Sequence, residues 1–312
     1  MHDHHHHDHG HSHGPGHSHA PANFGRAFFI GVALNFGFVI VEATFGGMAH
    51  SLALLADAGH NLSDVFSLLL AWGALTLVRR RPTERRTYGL RRSSILAALF
   101  NAIILLIAVG AIAWAAVSRL FNPTSTGGET VIWVALTGIL INGFTAYLFM
   151  AGSKSDLNIR GAYLHMVADA AVSLGVVIAG FAIVWTGWQW LDPVTSLIIV
   201  LVIVWSTWGL LRDSVNLALD AVPEGIDVPQ VRHYLENLPD VKEVHDLHIW
   251  AMSTTETALT AHLVRVVPNC DDTLLEQACC QLHEQFGIEH VTLQFETGNS
   301  DFTCGQAAED AL

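Results

Sequence analysis

Residues 52–78, LALLADAGHNLSDVFSLLLAWGALTLV, combine a long apolar run with ionisable side chains, and this combination decides the fold. A helix of this length covers about 40 Å, which is enough to cross the roughly 30 Å hydrocarbon layer of a bilayer. The run nevertheless contains Asp57, His60 and Asp64, whose spacing places them on one helix face. A charged group in hydrocarbon costs about 2.5–3.5 kcal/mol, so we expect this face to bind a partner or an ion.

A second ionisable pair occurs in the apolar segment HMVAD, where His165 and Asp169 are four residues apart. No Lys or Arg lies at a comparable depth in the apolar runs, so a bound cation is favoured over salt bridges. If this face meets that of His60 and Asp64, the four side chains form a tetrahedral set that zinc accepts. Calcium requires more oxygen ligands, and copper(I) prefers sulfur. The alternative is that these polar side chains only hold helices together.

The whole chain predicts an α-helical membrane protein. It is 51% hydrophobic and 14% charged, whereas soluble domains carry about 25% charged residues. Six apolar stretches are long enough to cross a bilayer, at residues 27–45, 52–78, 94–120, 131–151, 162–185 and 194–211. Asn35, Asn101 and Asn142 lie within them and are expected to form hydrogen bonds between helices.

Basic residues in the short loops predict the orientation. The segment 79–92, RRRPTERRTYGLRR, has seven Arg, and Arg26, Lys154, Arg160 and Arg212 fall on the same side if the six stretches alternate. The opposite loops contain only Arg119. Because cytoplasmic loops are enriched in Lys and Arg, both termini are predicted to be cytoplasmic.

The C-terminal part is a small acidic domain by composition and pattern. From Pro223 onward there are 16 acidic and three basic residues, which does not suit nucleic acid. The order helix, strand, strand, helix, strand predicts an α+β domain. The predicted organisation is a disordered His-rich segment (1–22), a six-helix membrane domain (23–215), a cytosolic domain (216–298) and a tail (299–312).

Four motifs together resemble the cation diffusion facilitator family, most closely its bacterial zinc exporters. They are SLALLADAGHNLSD, LHMVAD, the Asp-Pro step at residues 192–193 and HDLHIW at residues 245–250. The resemblance implies a homodimeric, proton-coupled metal exporter of the bacterial inner membrane, with six membrane helices and a metallochaperone-like cytosolic domain. It places His60, Asp64, His165 and Asp169 at the transport site, and it associates a His at position 60 with zinc rather than cadmium.

The resemblance also implies metal ligands in the cytosolic domain. His245, His262 and Glu296 match family ligand positions, with His248 and Cys304 as possible additions. Gln294 replaces a His found in some relatives, which argues against a full two-metal site. On a regular strand, His245 and His248 would point to opposite faces, so they share one ion only if the strand bends.

Some relatives carry a second metal site in the loop between the second and third membrane helices. Here Arg86 and Leu90 occupy the positions that correspond to its two His, so we predict no metal site in this loop. Its Arg side chains are expected to contact lipid headgroups or the acidic domain.

Three features keep more than one interpretation. Asp57 is a candidate proton carrier, an acceptor for a ligand His or a helix contact. Glu42 is an entry residue or an interfacial carboxylate without a role. The segment 1–22, with 10 of the 19 His, captures zinc weakly or is an expression tag.

Two rival classes are an intramembrane metalloenzyme and a metal sensor. An enzyme needs an open coordination position, whereas four protein ligands close the site, and no HExxH motif occurs in an apolar stretch. A sensor leaves the intramembrane acids unexplained. The absence of a GxxxxGK[ST] motif argues against an ATP-driven pump. We therefore predict a transporter of zinc rather than an enzyme.

Overall fold

The computed structural model describes residues 26–78, 82–150, 157–266 and 272–297. Its first part consists of six long helices: α1 (Arg26–Met48), α2 (Leu52–Val78), α3 (Ser93–Phe121), α4 (Gly128–Met150), α5 (Leu157–Thr186) and α6 (Leu191–Ala218). Each contains one predicted apolar stretch, although α5 starts earlier and α6 ends later than predicted. The predicted segments 1–22 and 299–312 lie outside the described residues, and the domain limits stay predictions.

The helices have the dimensions and surface of a membrane bundle. By length and composition, α1, α3, α4, α5 and α6 can each cross a membrane. Helix α2 is of similar length and contacts α1, α3, α5 and α6, so it is part of the same bundle. Large apolar side chains such as Trp114, Trp133, Trp185 and Trp205 are exposed on the outside. Lipid solvates such a surface, whereas soluble monomers rarely expose so much apolar area.

Helices α4 and α5 pack closely because small residues line their contact. A Cβ atom on Gly128 would lie 2.8 Å from Val184, and one on Gly180 would lie 2.8 Å from Ile132. Such contacts are typical of membrane helices, where close packing replaces the hydrophobic effect. This packing fixes α5, which carries His165 and Asp169, against the bundle.

The C-terminal domain follows α6 and contains α7 (Val228–Glu236), β1 (Val241–Ala251), β2 (Thr257–Arg265), α8 (Asp272–Phe286) and β3 (His290–Thr297). The sheet order is β1-β2-β3, with β1 antiparallel and β3 parallel to β2. Leu259 and Leu263 of β2 are buried with Leu235 of α7 and Leu282 of α8. The predicted α+β domain, with helices on one sheet face, is confirmed.

Strand β1 bends at a bulge between His245 and His248. His245 pairs with His262, but His248 pairs with Thr260, so β1 has one more residue than β2 between the two pairs. Asp246, with φ of 51°, takes up the extra residue. Because paired residues share a face, His245, His248 and His262 all lie on one sheet face. The opposite-face arrangement expected for a regular strand is therefore wrong here.

The loop between α2 and α3 docks on the C-terminal domain. Arg91 forms an ion pair with Glu256 at 3.0 Å, and Ser94 Oγ accepts a hydrogen bond of 3.1 Å from Thr254 N. Arg92 pairs with Asp220 just after α6. The expectation that Arg residues of this loop contact the acidic domain is borne out at Arg91. Among the described residues, no cluster of potential metal ligands includes this loop.

Candidate metal centre

Four ionisable side chains from α2 and α5 converge inside the bundle. His60 and Asp64 come from α2, and His165 and Asp169 come from α5. Each pair is spaced four residues apart, so each helix presents an imidazole and a carboxylate on one face. One ligand atom from each side chain lies within 4.8 Å of all the others. The structure thus brings together the four residues that the sequence predicted to meet.

The distances fit a tetrahedral zinc ion. His60 Nε2 lies 3.6 Å from Asp64 Oδ2 and 3.5 Å from Asp169 Oδ1, and His165 Nε2 lies 3.2 Å from Asp64 Oδ2 and 3.7 Å from Asp169 Oδ2. Ligand atoms about 2.0–2.2 Å from a tetrahedral zinc are roughly 3.3–3.6 Å apart. The imidazole nitrogens and carboxylate oxygens are therefore already close to the separations that one tetrahedral dication requires.

Exposure varies across the cluster along the bundle axis. We call the end of the bundle where α6 leads into the C-terminal domain the domain end, and the opposite end the far end. His165 and Asp64, nearer the domain end, have 40% and 25% of their side chains exposed. His60 and Asp169, nearer the far end, have 16% and 3% exposed. The cluster is therefore more accessible from the domain end.

Asp57 lies outside the four-residue cluster. It sits one turn from His60 towards the far end of α2 and is fully buried, close to the carboxyl group of Glu42 of α1. Asp57 Oδ2 accepts a hydrogen bond of 3.2 Å from Ser173 Oγ, and Glu42 Oε2 accepts one of 3.0 Å from Asn61 Nδ2. The interfacial position considered for Glu42 is wrong, because Glu42 is inside the bundle with no exposed surface.

The three asparagines that were expected to form hydrogen bonds between helices differ in whether they have a partner. Asn101 Nδ2 of α3 donates to Ser63 Oγ of α2 at 3.1 Å. Asn35 Nδ2 of α1 lies 3.7 Å from Met166 Sδ of α5. Asn142 is fully buried, and neither atom of its amide has a hydrogen-bond partner among the described residues. The predicted role therefore holds for Asn101 and Asn35 but not for Asn142.

Asp192 holds the start of α2 by hydrogen bonds at the far end of the bundle. Its Oδ2 accepts a hydrogen bond of 2.8 Å from Leu52 N, and its Oδ1 accepts one of 2.5 Å from Ser51 Oγ. Arg119 of α3 lies 3.8 Å from Asp192 Oδ2 and donates to His50 O. This arrangement positions α2 and its ligands. This role of Asp192 could not be predicted from the Asp-Pro step, because the contact joins residues 140 positions apart.

A second cluster lies on the open face of the C-terminal sheet. His262 Nδ1 is 2.9 Å from Glu296 Oε1, and His245 Nε2 is 3.3 Å from Glu296 Oε2. The two imidazole rings lie edge to face at 5.1 Å. Three ligand atoms are thus close enough to hold one ion, which leaves a fourth position for water or another side chain.

Asp246 joins this cluster to His248. Its Oδ1 lies 2.9 Å from His248 Nε2, and its Oδ2 lies 3.6 Å from His262 Nε2. His248 is therefore connected to the cluster through a carboxylate, although it does not belong to the three-residue group. Asp246 could not be predicted as part of this cluster, because only the bulge turns it towards both His residues. Cys304 lies outside the described residues.

Ionisable ligands inside six apolar helices define a multi-pass membrane protein that handles metal cations. The family profile described as the cation efflux transmembrane domain matches residues 28–217, and the profile of the cation efflux protein cytoplasmic domain matches residues 223–298. The chain belongs to the cation efflux, or cation diffusion facilitator, family, whose members are transporters and not enzymes.

Curated relatives cover most of this chain. It is 38% identical to "Zinc transporter ZitB" of Escherichia coli strain K12, over 88% of each protein. It is 35% identical to the "Cadmium, cobalt and zinc/H(+)-K(+) antiporter" of Bacillus subtilis strain 168, over 84% of this chain and 85% of the relative. It is 37% identical to "Metal cation efflux system protein CzcD" of Cupriavidus metallidurans, over 88% of each.

Among solved structures, the metal-bound C-terminal domain of the CzcD transporter is similar in sequence. The identity is 36%, over 23% of this chain and 99% of that chain, with a TM-score of 0.22.

Proposed function

We propose that this protein exports Zn²⁺ from the cytoplasm in exchange for protons, through a site formed by His60, Asp64, His165 and Asp169. The observation that carries the proposal is the convergence of these four side chains, with imidazole nitrogens 3.2–3.7 Å from carboxylate oxygens. No Lys or Arg of the described residues forms an ion pair with them, so a dication is the charge that balances two carboxylates.

Zinc is the primary substrate because two imidazoles and two carboxylates match its preferred ligands and coordination number. Cadmium, cobalt, nickel and iron bind the same kind of site, because affinities at such ligands follow a common order. The printed names of the relatives, which cite zinc, cadmium and cobalt, support this range.

The graded exposure of the site supports a direction of transport. The cluster is most accessible through His165 and Asp64, at the domain end. With both termini and the C-terminal domain in the cytoplasm, zinc enters from this side. Release then requires a rearrangement that opens the far end, where Asp169 and Asp57 are buried.

Proton exchange follows from the chemistry of the ligands. An imidazole must be neutral to bind metal, so binding at His60 and His165 displaces protons that these groups carry. The name of the Bacillus subtilis relative includes H⁺ exchange, which supports the same coupling. An inward proton gradient would therefore favour zinc export.

The protein acts as a homodimer in the bacterial inner membrane, a proposal that rests on the family resemblance. The cluster of His245, His262 and Glu296 is proposed to bind regulatory zinc in the cytosolic domain, with Asp246 and His248 close to the same ion. Free zinc in the cytoplasm would thereby influence the domain that docks on the loop between α2 and α3.

The test is zinc transport into proteoliposomes that contain the full-length protein. Wild type is expected to accumulate zinc when the vesicle interior is acidic, and Asp64→Ala and Asp169→Ala are expected to lose this uptake. Glu129→Gln is the matched control, because Glu129 is an exposed carboxylate at the start of α4. Equal uptake in all four proteins would overturn the assignment of the site.

A further inference from the structure

Glu42 and Asp57 form a buried carboxyl pair beside the metal site. Asp57 lies three residues before His60 on α2, and its partner Ser173 lies four residues after Asp169 on α5. The pair is therefore about one helical turn, or about 5 Å, from the metal ligands. It lies on the far-end side, opposite to the accessible ligands His165 and Asp64.

Among the described side chains, no Lys or Arg forms an ion pair or hydrogen bond with Glu42 or Asp57. Both side chains have no exposed surface, and their hydrogen-bond donors are the neutral groups Asn61 Nδ2 and Ser173 Oγ. The titratable groups that act on the pair are His60 and Asp169. The other titratable side chains on the described parts of α3, α4 and α6 lie towards helix ends: Arg119, Glu129, Tyr147, Asp192, Arg212 and Asp213.

The two buried carboxyl groups need a compensating positive charge, which a single proton can supply. Glu42 Oε1 and Asp57 Oδ1 are both buried with no hydrogen-bond partner among the described residues, and the two carboxyl groups are close neighbours. A carboxylate only accepts hydrogen bonds, so a bond between two carboxyl groups requires a proton on one of them. Two negative charges in this position would otherwise carry a large desolvation cost. One shared proton removes one charge and supplies the missing donor.

We propose that Glu42 and Asp57 share one proton in the zinc-free protein and form a further proton-binding site of the exchange, in addition to the ligand imidazoles. The proposal rests on the proposed function and adds a site separate from the metal ligands. Zinc that enters from the cytoplasm and binds between His60 and Asp169 brings two positive charges next to the pair, which favours release of the proton to the cytoplasm. When zinc leaves through the far end, the pair takes up a proton from that side. One proton is thus exchanged against each passage of the metal.

The first test counts protons released when zinc binds. Full-length wild type, Glu42→Gln and Asp57→Asn are titrated with zinc in weakly buffered detergent solution, and the released acid is measured with a pH dye. Each variant replaces a carboxyl group by an amide of nearly the same shape, which imitates the protonated state. Both are expected to bind zinc and, once all zinc sites are filled, to release about one proton fewer per chain than wild type. Glu129→Gln, outside the pair, is expected to release as many protons as wild type.

The second test separates coupling from transport. In proteoliposomes, zinc uptake by Glu42→Gln and Asp57→Asn is expected to lose its acceleration by an acidic interior, which wild type and Glu129→Gln retain.

The proposal would be overturned if both Glu42→Gln and Asp57→Asn released as many protons on zinc binding as wild type. It would also be overturned if an acidic interior accelerated their zinc uptake as much as it does in wild type. Loss of zinc binding in either variant would also overturn it, by placing the pair in the metal site. Absence of zinc uptake in wild type itself would instead refute the proposed function, so the two failures are distinguishable.

Discussion

His60 is the residue at which metal choice is best tested. Its imidazole Nε2 lies 3.6 Å and 3.5 Å from the carboxylates of Asp64 and Asp169, so it faces both acidic ligands. In His60→Asp, an oxygen ligand replaces nitrogen and the site carries one more negative charge. We expect zinc uptake to persist and cadmium uptake to rise relative to zinc, measured by competition between the two ions in proteoliposomes. An unchanged ratio of the two uptakes would show that selectivity lies elsewhere.

Asp192 has a structural role that can be separated from metal binding. Asp192→Ala leaves Leu52 N and Ser51 Oγ without their acceptor, which costs about 1–3 kcal/mol for each buried donor. The variant should unfold at a lower temperature in detergent but bind as many zinc ions per chain as wild type. Loss of one zinc ion from the folded variant would instead identify Asp192 as a ligand. Glu129→Gln serves as the control for removing a carboxylate from a membrane helix.

At the scale of residues, the spacing of side chains along one helix could be predicted from the sequence, whereas contacts between different helices could not. His and Asp four residues apart predicted the ligand-bearing faces of α2 and α5, because helix periodicity depends only on the local chain. The proximity of Glu42 and Asp57, and the hydrogen bond from Leu52 N to Asp192, could not be predicted. Both depend on which helices become neighbours, which one sequence does not contain.

Strand β1 illustrates the limits of prediction at the scale of elements. Its position was predicted well, since alternating apolar residues mark a strand. The bulge at Asp246 was not predicted, because a single non-glycine residue with positive φ leaves no clear signal in the sequence. That bulge changes the side on which His248 lies, and with it the composition of the candidate cytosolic site.

The cytosolic cluster leads to a prediction about metal content. Glu296 contacts both His245 and His262, so Glu296→Gln should weaken the ion that they hold. Under equilibrium dialysis at limiting free zinc, the full-length variant is expected to retain about one zinc fewer than wild type. Glu243→Gln is the control, because Glu243 is an exposed carboxylate on the same strand. The His-rich segment 1–22 contributes equally to all three proteins, and equal zinc contents would refute this ligand set.

For the whole molecule, the contact between the two domains was predicted only in outline. An excess of Arg in one loop and of acids in the C-terminal domain indicated attraction between them. The pairing of Arg91 with Glu256 and the bond between Thr254 N and Ser94 Oγ required the three-dimensional arrangement. The long apolar stretches, in contrast, predicted the six helices because the bilayer imposes a minimum length.

The docking contact can be tested by charge reversal. Arg91 and Glu256 are partly exposed, so their ion pair contributes no more than about 1 kcal/mol. Arg91→Glu should increase hydrogen exchange in the turn at residues 252–256, and the double variant Arg91→Glu with Glu256→Arg should restore protection. The same exchange rates in wild type and the single variant would mean that the ion pair does not hold this turn. The double variant controls for side-chain size.

The central claim is that one dication binds between α2 and α5. Its most direct test is anomalous scattering at the zinc absorption edge, measured on crystals of the zinc-loaded full-length protein. The account predicts a peak about 2.0–2.2 Å from nitrogen atoms of His60 and His165 and from carboxylate oxygens of Asp64 and Asp169. A zinc-loaded structure with no peak between these four side chains, or with the two pairs turned into separate cavities, would contradict it.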